Sequence, residues 1–100
     1  MIVHVVFFTF NDNLTAQERQ EFMDGIETLR GCKNAKTMYI GTPVMATAVR
    51  PIVDTAYNVA LTVLFEDLAA HDAYQVDPLH KAFVAKSRPM CSRVRVFDAQ

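Results

Sequence analysis

Residues Ile2 to Phe10 are apolar in both registers of a β-strand. Ile2, His4, Val6, Phe8 and Phe10 fall on one side, and Val3, Val5, Phe7 and Thr9 on the other. A strand with one wet face alternates apolar with polar residues; one without that alternation must be covered on both sides, inside a sheet. Its β-branched and aromatic content selects strand over buried helix. Asn11-Asp12-Asn13 then turns the chain.

The remaining elements follow from local signals. Thr15-Ala16-Gln17-Glu18 has the spacing of a capping box, in which hydroxyl and carboxylate each satisfy an orphan N–H at a helix start. Phe22, Met23, Ile26 and Leu29 follow at helical spacing, and Gly31 is expected to close the helix in a left-handed conformation. Ala35 to Gly41 alternates as a short second strand. Thr42 to Thr55 contains Pro43 and Pro51 without a period and reads as a loop, with Arg50 and Asp54 as its polar features. Tyr57 to Glu66 is the third strand, with Tyr57, Val59, Leu61, Val63 and Phe65 expected on one face and Asn58, Ala60, Thr62 and Leu64 on the other. Asp67 caps a helix over Leu68 to Tyr74, and Asp77-Pro78 supplies the N-cap and first residue of another, with Leu79, Ala82 and Phe83 inward. Arg88-Pro89 stops it, because proline disfavours helix in the residue before it. Cys91 to Asp98 alternates as a final strand.

The order is β-α-β-β-α-β with the second helix broken in two, the α+β ferredoxin-like arrangement of one antiparallel sheet with its helices on one face. The sheet's other face is expected to carry Val, Leu, Ile and Phe over an area too large to leave to water. Two such sheets packed face to face, as a homodimer, are the simplest remedy.

A chain of 100 residues is expected to form a single domain spanning 1–100. Its 51% hydrophobic content fits a chain with apolar surface left for a partner. Net charge is −1 with both signs interspersed, which leaves no electrostatic footprint for nucleic acid or an anionic membrane. No run approaches the roughly 18 apolar residues of a membrane span. Met1-Ile2-Val3-His4 lacks the basic stretch and cleavage site of a signal peptide. Cys32 and Cys91 form neither a CxxC nor a metal-ligand spacing, so free thiols in a cytoplasmic protein are expected.

Met1-Ile2-Val3-His4-Val5-Val6-Phe7-Phe8, Ile40-Gly41, Val63-Leu64-Phe65-Glu66-Asp67, and Tyr74-Gln75-Val76-Asp77-Pro78-Leu79-His80 with Phe83 together resemble the stress-responsive dimeric α/β barrel family, Dabb. The most specific part is Tyr-x-x-His-Pro-x-His, whose first histidine is replaced here by Asp77. The resemblance implies a homodimer in which two four-stranded sheets form a barrel, with a cavity in each subunit between sheet and helices. One plant member type is a polyketide cyclase that performs an aldol condensation without metal or organic cofactor. Its acid–base tyrosine and histidine match Tyr74 and His80, and its first-strand histidine matches His4. A further cyclase histidine, early in strand three, is replaced by Val59, so that part of the cyclase pocket is missing here.

Tyr74 and His80 are therefore the candidate catalytic pair, because an imidazole titrating near pH ~6.5 accepts a proton at neutral pH and a phenol steadies an enolate oxygen. His4, Tyr39, Tyr57 and Phe83 are the expected substrate-binding residues. No cofactor and no metal are expected, since His4, His71 and His80 lack a ligand spacing. His71 is expected in solvent, and Asp77 at a helix cap. The function expected is cyclase or lyase chemistry on a small hydrophobic carbonyl or phenolic compound. Two alternatives are a non-catalytic ligand-binding or stress-linked structural dimer and a cofactorless quinol monooxygenase.

Overall fold

The computed structural model describes residues 1–100. The doubly apolar run is strand β1 (Ile2–Phe10), and it lies inside a four-stranded sheet, paired antiparallel with β3 (Val59–Phe65) and β4 (Cys91–Ala99). Strand β2 (Thr37–Gly41) pairs antiparallel with β3, so the order across the sheet is β2-β3-β1-β4. Helices α1 (Ala16–Glu27), α2 (Leu68–Gln75) and α3 (Pro78–Ser87) complete a ferredoxin-like fold.

The core forms where β1 and β3 present their helix-side residues. Val59, Leu61, Val63 and Phe65 of β3 and Ile2, Val6, Phe8 and Phe10 of β1 are buried there. Phe22 and Ile26 of α1, Leu29 just after it and Phe83 of α3 come down onto them. Phe22 meets Phe8, Phe10 and Phe83 with ring centroids 5.2, 4.9 and 5.5 Å apart, all edge-on. That geometry lets the positive ring edge face the negative ring face, and adds about 0.5–1.5 kcal/mol per pair beyond area burial.

Caps fix where the helices start. Thr15 Oγ1 accepts from the Glu18 N–H at 3.1 Å while the Thr15 N–H donates to Glu18 Oε1 at 3.0 Å. Asp67 accepts from the Ala70 N–H at 2.8 Å and Asp77 from the Leu79 N–H at 2.9 Å. Asp77 with Pro78 at the first helical position breaks the second helical stretch at the expected residue.

Three expectations are corrected. Gly31 does not adopt a left-handed conformation: no residue in the chain has a positive φ, and α1 instead tightens into a 3₁₀ turn over Thr28–Gly31. Gly31 is instead close-packed, since an added Cβ would meet Leu79 Cδ1 at 2.9 Å. The third strand begins at Val59, not Tyr57. The Tyr57 N–H bonds back to the Thr55 carbonyl in a turn, and its ring packs on Phe7, 4.9 Å away, on the face opposite Val59. The long loop is also not wholly irregular, because Met45–Thr47 forms a single 3₁₀ turn.

The sheet's second face carries no helix. Phe7 lies there between Tyr57 and Phe97, with the Arg95 guanidinium 5.5 Å from its ring centroid. Phe97 and Tyr39 are 53% and 64% exposed. The loop borders this face, with Asp54 3.9 Å from Arg95, and adds exposed Val49 and Ile52.

Two substitutions test these local readings by denaturant unfolding. Thr15→Ala removes half of the capping box and is expected to cost about 1 kcal/mol. Gly31→Ala is expected to change stability by less than ~1 kcal/mol, because its φ is already negative and the Leu79 tip can rotate away. A markedly larger loss would show that Leu79 cannot give way to the added methyl.

Candidate functional site

The helices cover β1, β2 and β3 but stop short of β4. Val94 and Val96 point to the helix side opposite Phe8 and Val6, yet remain 46% and 51% exposed. This overhang creates a hollow of about 510 Å³. Its floor is His4, Val6 and Phe8 of β1 with Leu61 of β3; one wall is Val94 and Val96, and the other is Tyr74, His80 and Phe83. A shallower depression on the outer side of α3, lined by Lys81 and Arg88, also reaches His80.

His80 sits on the first turn of α3, directed by the Asp77-Pro78 start. Its Nδ1–H donates to the Gln75 carbonyl at 3.3 Å, a bond that leaves Nε2 as the basic nitrogen. Burial holds its pKa below the ordinary imidazole value; the Gln75 bond opposes this and His4 adds to it. The last turn of α2 puts Tyr74 against it, with ring centroids 4.4 Å apart and planes at 44°. Tyr74 is almost wholly buried, and burial raises the pKa of its phenol, with Cys32 and Asp77 adding to the rise. The pair thus consists of a neutral imidazole and a phenol that keeps its proton into alkaline solution.

His4 is buried beneath them, with its ring centroid 6.2 Å from that of Tyr74. Its Nδ1 is 2.5 Å from Asp98 Oδ1, and His4 and Asp98 are direct partners across the β1–β4 ladder. His71, expected in solvent, is folded inward instead. Its ring packs edge-on against His4 and Phe65, each 5.4 Å away, and its side chain is 18% exposed. His4, His71 and Asp98 present nitrogen and oxygen atoms that all lie within 4.8 Å of one another.

The hollow therefore brings together His4, Tyr74, His80 and Phe83. It does not include Tyr39 or Tyr57. Tyr39 pairs with Thr62 and is exposed, and Tyr57 lies against Phe7 on the far side of the sheet. Asp77 serves as the cap of α3, as expected. Sequence reasoning missed Asp98 and His71. His71 carried a signal, because it stands three residues before Tyr74 and so shares its helix face. Asp98 carried none, because its place opposite His4 depends on strand register.

A sequence profile of the stress-responsive A/B barrel domain matches residues 2–100. The chain belongs to the Dabb family. Among solved structures, this Dabb chain superposes on the hydroxynitrile lyase of Passiflora edulis with a TM-score of 0.82, at 19% identity over 98% of this chain and 90% of that one. A dimeric ferredoxin-like protein of unknown function from Thermobifida fusca gives 0.80 at 21% identity, over 98% of this chain and 88% of that one. A Dabb protein from Mesorhizobium loti gives 0.79 at 24% identity, over 99% and 94% of the two chains. At these identities the likeness is one of fold. No curated protein matches this chain. No helix is long and apolar enough to cross a membrane.

Both cysteines are free. Burial, with the Asp77 carboxylate beside it, raises the Cys32 thiol to about 11, and burial also raises Cys91. Thiol labelling of the native protein at pH 8 is therefore expected to be slow and to reach half-buried Cys91 first, with Cys32 reacting only on unfolding. Comparison of Cys32→Ser and Cys91→Ser assigns the signals; fast labelling of Cys32 would contradict its placement under the Tyr74–His80 corner.

Proposed function

We propose that this Dabb protein is a homodimer whose hollow performs proton-transfer chemistry on a small hydrophobic carbonyl or phenolic compound, of the carbon–carbon lyase or cyclase type. The observation that carries the reading is the pairing of His80, with its Nδ1 committed to Gln75, and buried Tyr74 on one wall of an apolar hollow. A neutral imidazole held in one tautomer is suited to be a general base. A phenol that resists ionisation is suited to donate a hydrogen bond to an oxygen that gains negative charge. His4 is the polar group of the floor, and Phe83 the apolar wall that selects a hydrophobic substrate.

The lyase direction is supported by the similarity in fold to the Passiflora hydroxynitrile lyase. For a cyanohydrin the balanced step is simple. His80 Nε2 takes the hydroxyl proton, the carbon–cyanide bond breaks with its electron pair leaving on cyanide, and the carbonyl forms as Tyr74 donates to its oxygen. The proton on His80 then passes to cyanide.

The homodimer reading rests on the uncovered sheet face around Phe7 and Phe97, and on the dimeric description of the Thermobifida fusca protein. Sedimentation at micromolar concentration is expected to give twice the 11.3 kDa chain mass, and Val5→Asp, on that face, is expected to give monomers. A wild-type monomer would remove the dimer.

Mandelonitrile, whose cleavage releases benzaldehyde with a distinct absorbance, is the test substrate. His80→Ala and Tyr74→Phe are each expected to lower kcat/KM at least ~100-fold with the fold intact by circular dichroism. Because burial lowers the His80 pKa, its basic form persists below pH ~6.5, so the acid limb of kcat/KM is expected below the ordinary histidine value. Absence of turnover with mandelonitrile and with a panel of aryl carbonyl compounds would favour a non-catalytic ligand-binding dimer. The tilted ring contact between Tyr74 and His80, which serves packing equally well, agrees with that second reading.

A further inference from the structure

We propose that His4, His71 and Asp98 form a binding site for a first-row divalent transition metal, of which Zn²⁺ is the reference ion. The three residues come from β1, α2 and β4, so the tertiary fold alone assembles them. Two imidazoles and one carboxylate make a donor set suited to Zn²⁺, Co²⁺, Ni²⁺ or Fe²⁺, and unsuited to the all-oxygen preference of Mg²⁺ or Ca²⁺.

The spacing argues for a metal over a simple hydrogen-bonded cluster. Asp98 Oδ1 is within hydrogen-bond reach of His4 Nδ1, but Asp98 Oδ2 lies 3.9 Å from His71 Nε2. That gap is too long for a hydrogen bond. It is within the span of two metal–ligand bonds of about 2.1 Å each. Closing the site around an ion requires the His4–Asp98 contact to open from 2.5 Å. Asp98 is free to turn, because it sits near the end of an edge strand and its side chain is 46% exposed.

His71 is also prepared in the way metal-bound histidines are. Its Nδ1 is 3.1 Å from Asp72 Oδ1, so Nδ1–H donates to the carboxylate and the Nε2 lone pair is left toward Asp98. The Gln75 amide competes for that lone pair only across 3.5 Å. His4 is 6% exposed, which gives the site one rigid buried ligand, while half-exposed Asp98 leaves an entry path. Three protein ligands leave at least one coordination position open, and one of the three, His4, also lines the hollow.

This site does not depend on the proton-transfer reading, since neither Tyr74 nor His80 is a ligand. Titration of the purified full chain with CoCl₂ is expected to develop visible d–d bands that saturate at one ion per chain, and ZnCl₂ is expected to displace them. His71→Ala is expected to abolish saturable binding. Asp72→Asn, a surface change that keeps all three ligands, is expected to weaken it about 10-fold or more. His80→Ala is expected to bind Co²⁺ as the wild type does, which separates this outcome from any loss of turnover. The proposal is overturned if the wild type shows no saturable Co²⁺ spectrum, or if His71→Ala, shown to be folded by circular dichroism, binds with unchanged affinity.

Discussion

The constraint on which the structure depends is the two-sided burial that β1 demands. A strand with Val6, Phe8 and Phe10 on one face and Val3, Val5 and Phe7 on the other calls for cover over both faces of the sheet. Pairing with β3 and β4 on either side satisfies its backbone, and α1 and α3 satisfy one of its faces through Phe22, Ile26 and Phe83. Each such side chain contributes about 1.5–3 kcal/mol by leaving water, and in a chain of this length a few of them decide stability.

The hollow is a consequence of the same arrangement. Three short helices span three strands, and the fourth strand extends beyond their reach. Val94 and Val96 therefore line open space, and a cleft remains between β4 and α3. Polar residues buried at or beside this cleft cannot be left unpaired, because a buried imidazole without a partner costs about 1–3 kcal/mol or more. His4 is held by Asp98, His80 by the Gln75 carbonyl and His71 by Asp72. No buried side-chain nitrogen or oxygen in the chain lacks a partner. Those bonds fix ring orientation and tautomer, and so settle which nitrogen each histidine presents.

Two clusters of polar side chains thus lie at and beside the cleft. Tyr74 and His80 stand at the junction of α2 and α3, where burial lowers the proton affinity of the imidazole and raises that of the phenol. His4, His71 and Asp98 stand one helical turn away, beside the start of β1 and the end of β4. His4 belongs to both groups. A ligand in the hollow would meet Tyr74 and His80 on its wall and His4 on its floor.

The sequence by itself determined the order of elements, the central place of β1, the caps at Thr15, Asp67 and Asp77, and the candidate pair Tyr74 and His80. Those rest on local periodicity, hydroxyl and carboxylate caps and a short motif, all of which act within a few residues along the chain. Only the tertiary structure decided the rest. The side of the sheet taken by Tyr57 depended on a turn before β3, and the close packing at Gly31 depended on Leu79 from a distant helix. The meeting of His4 with Asp98 depended on the register of two strands separated by most of the chain. Register and close packing are set by the summed fit of a whole interface, and no short stretch of sequence carries that sum.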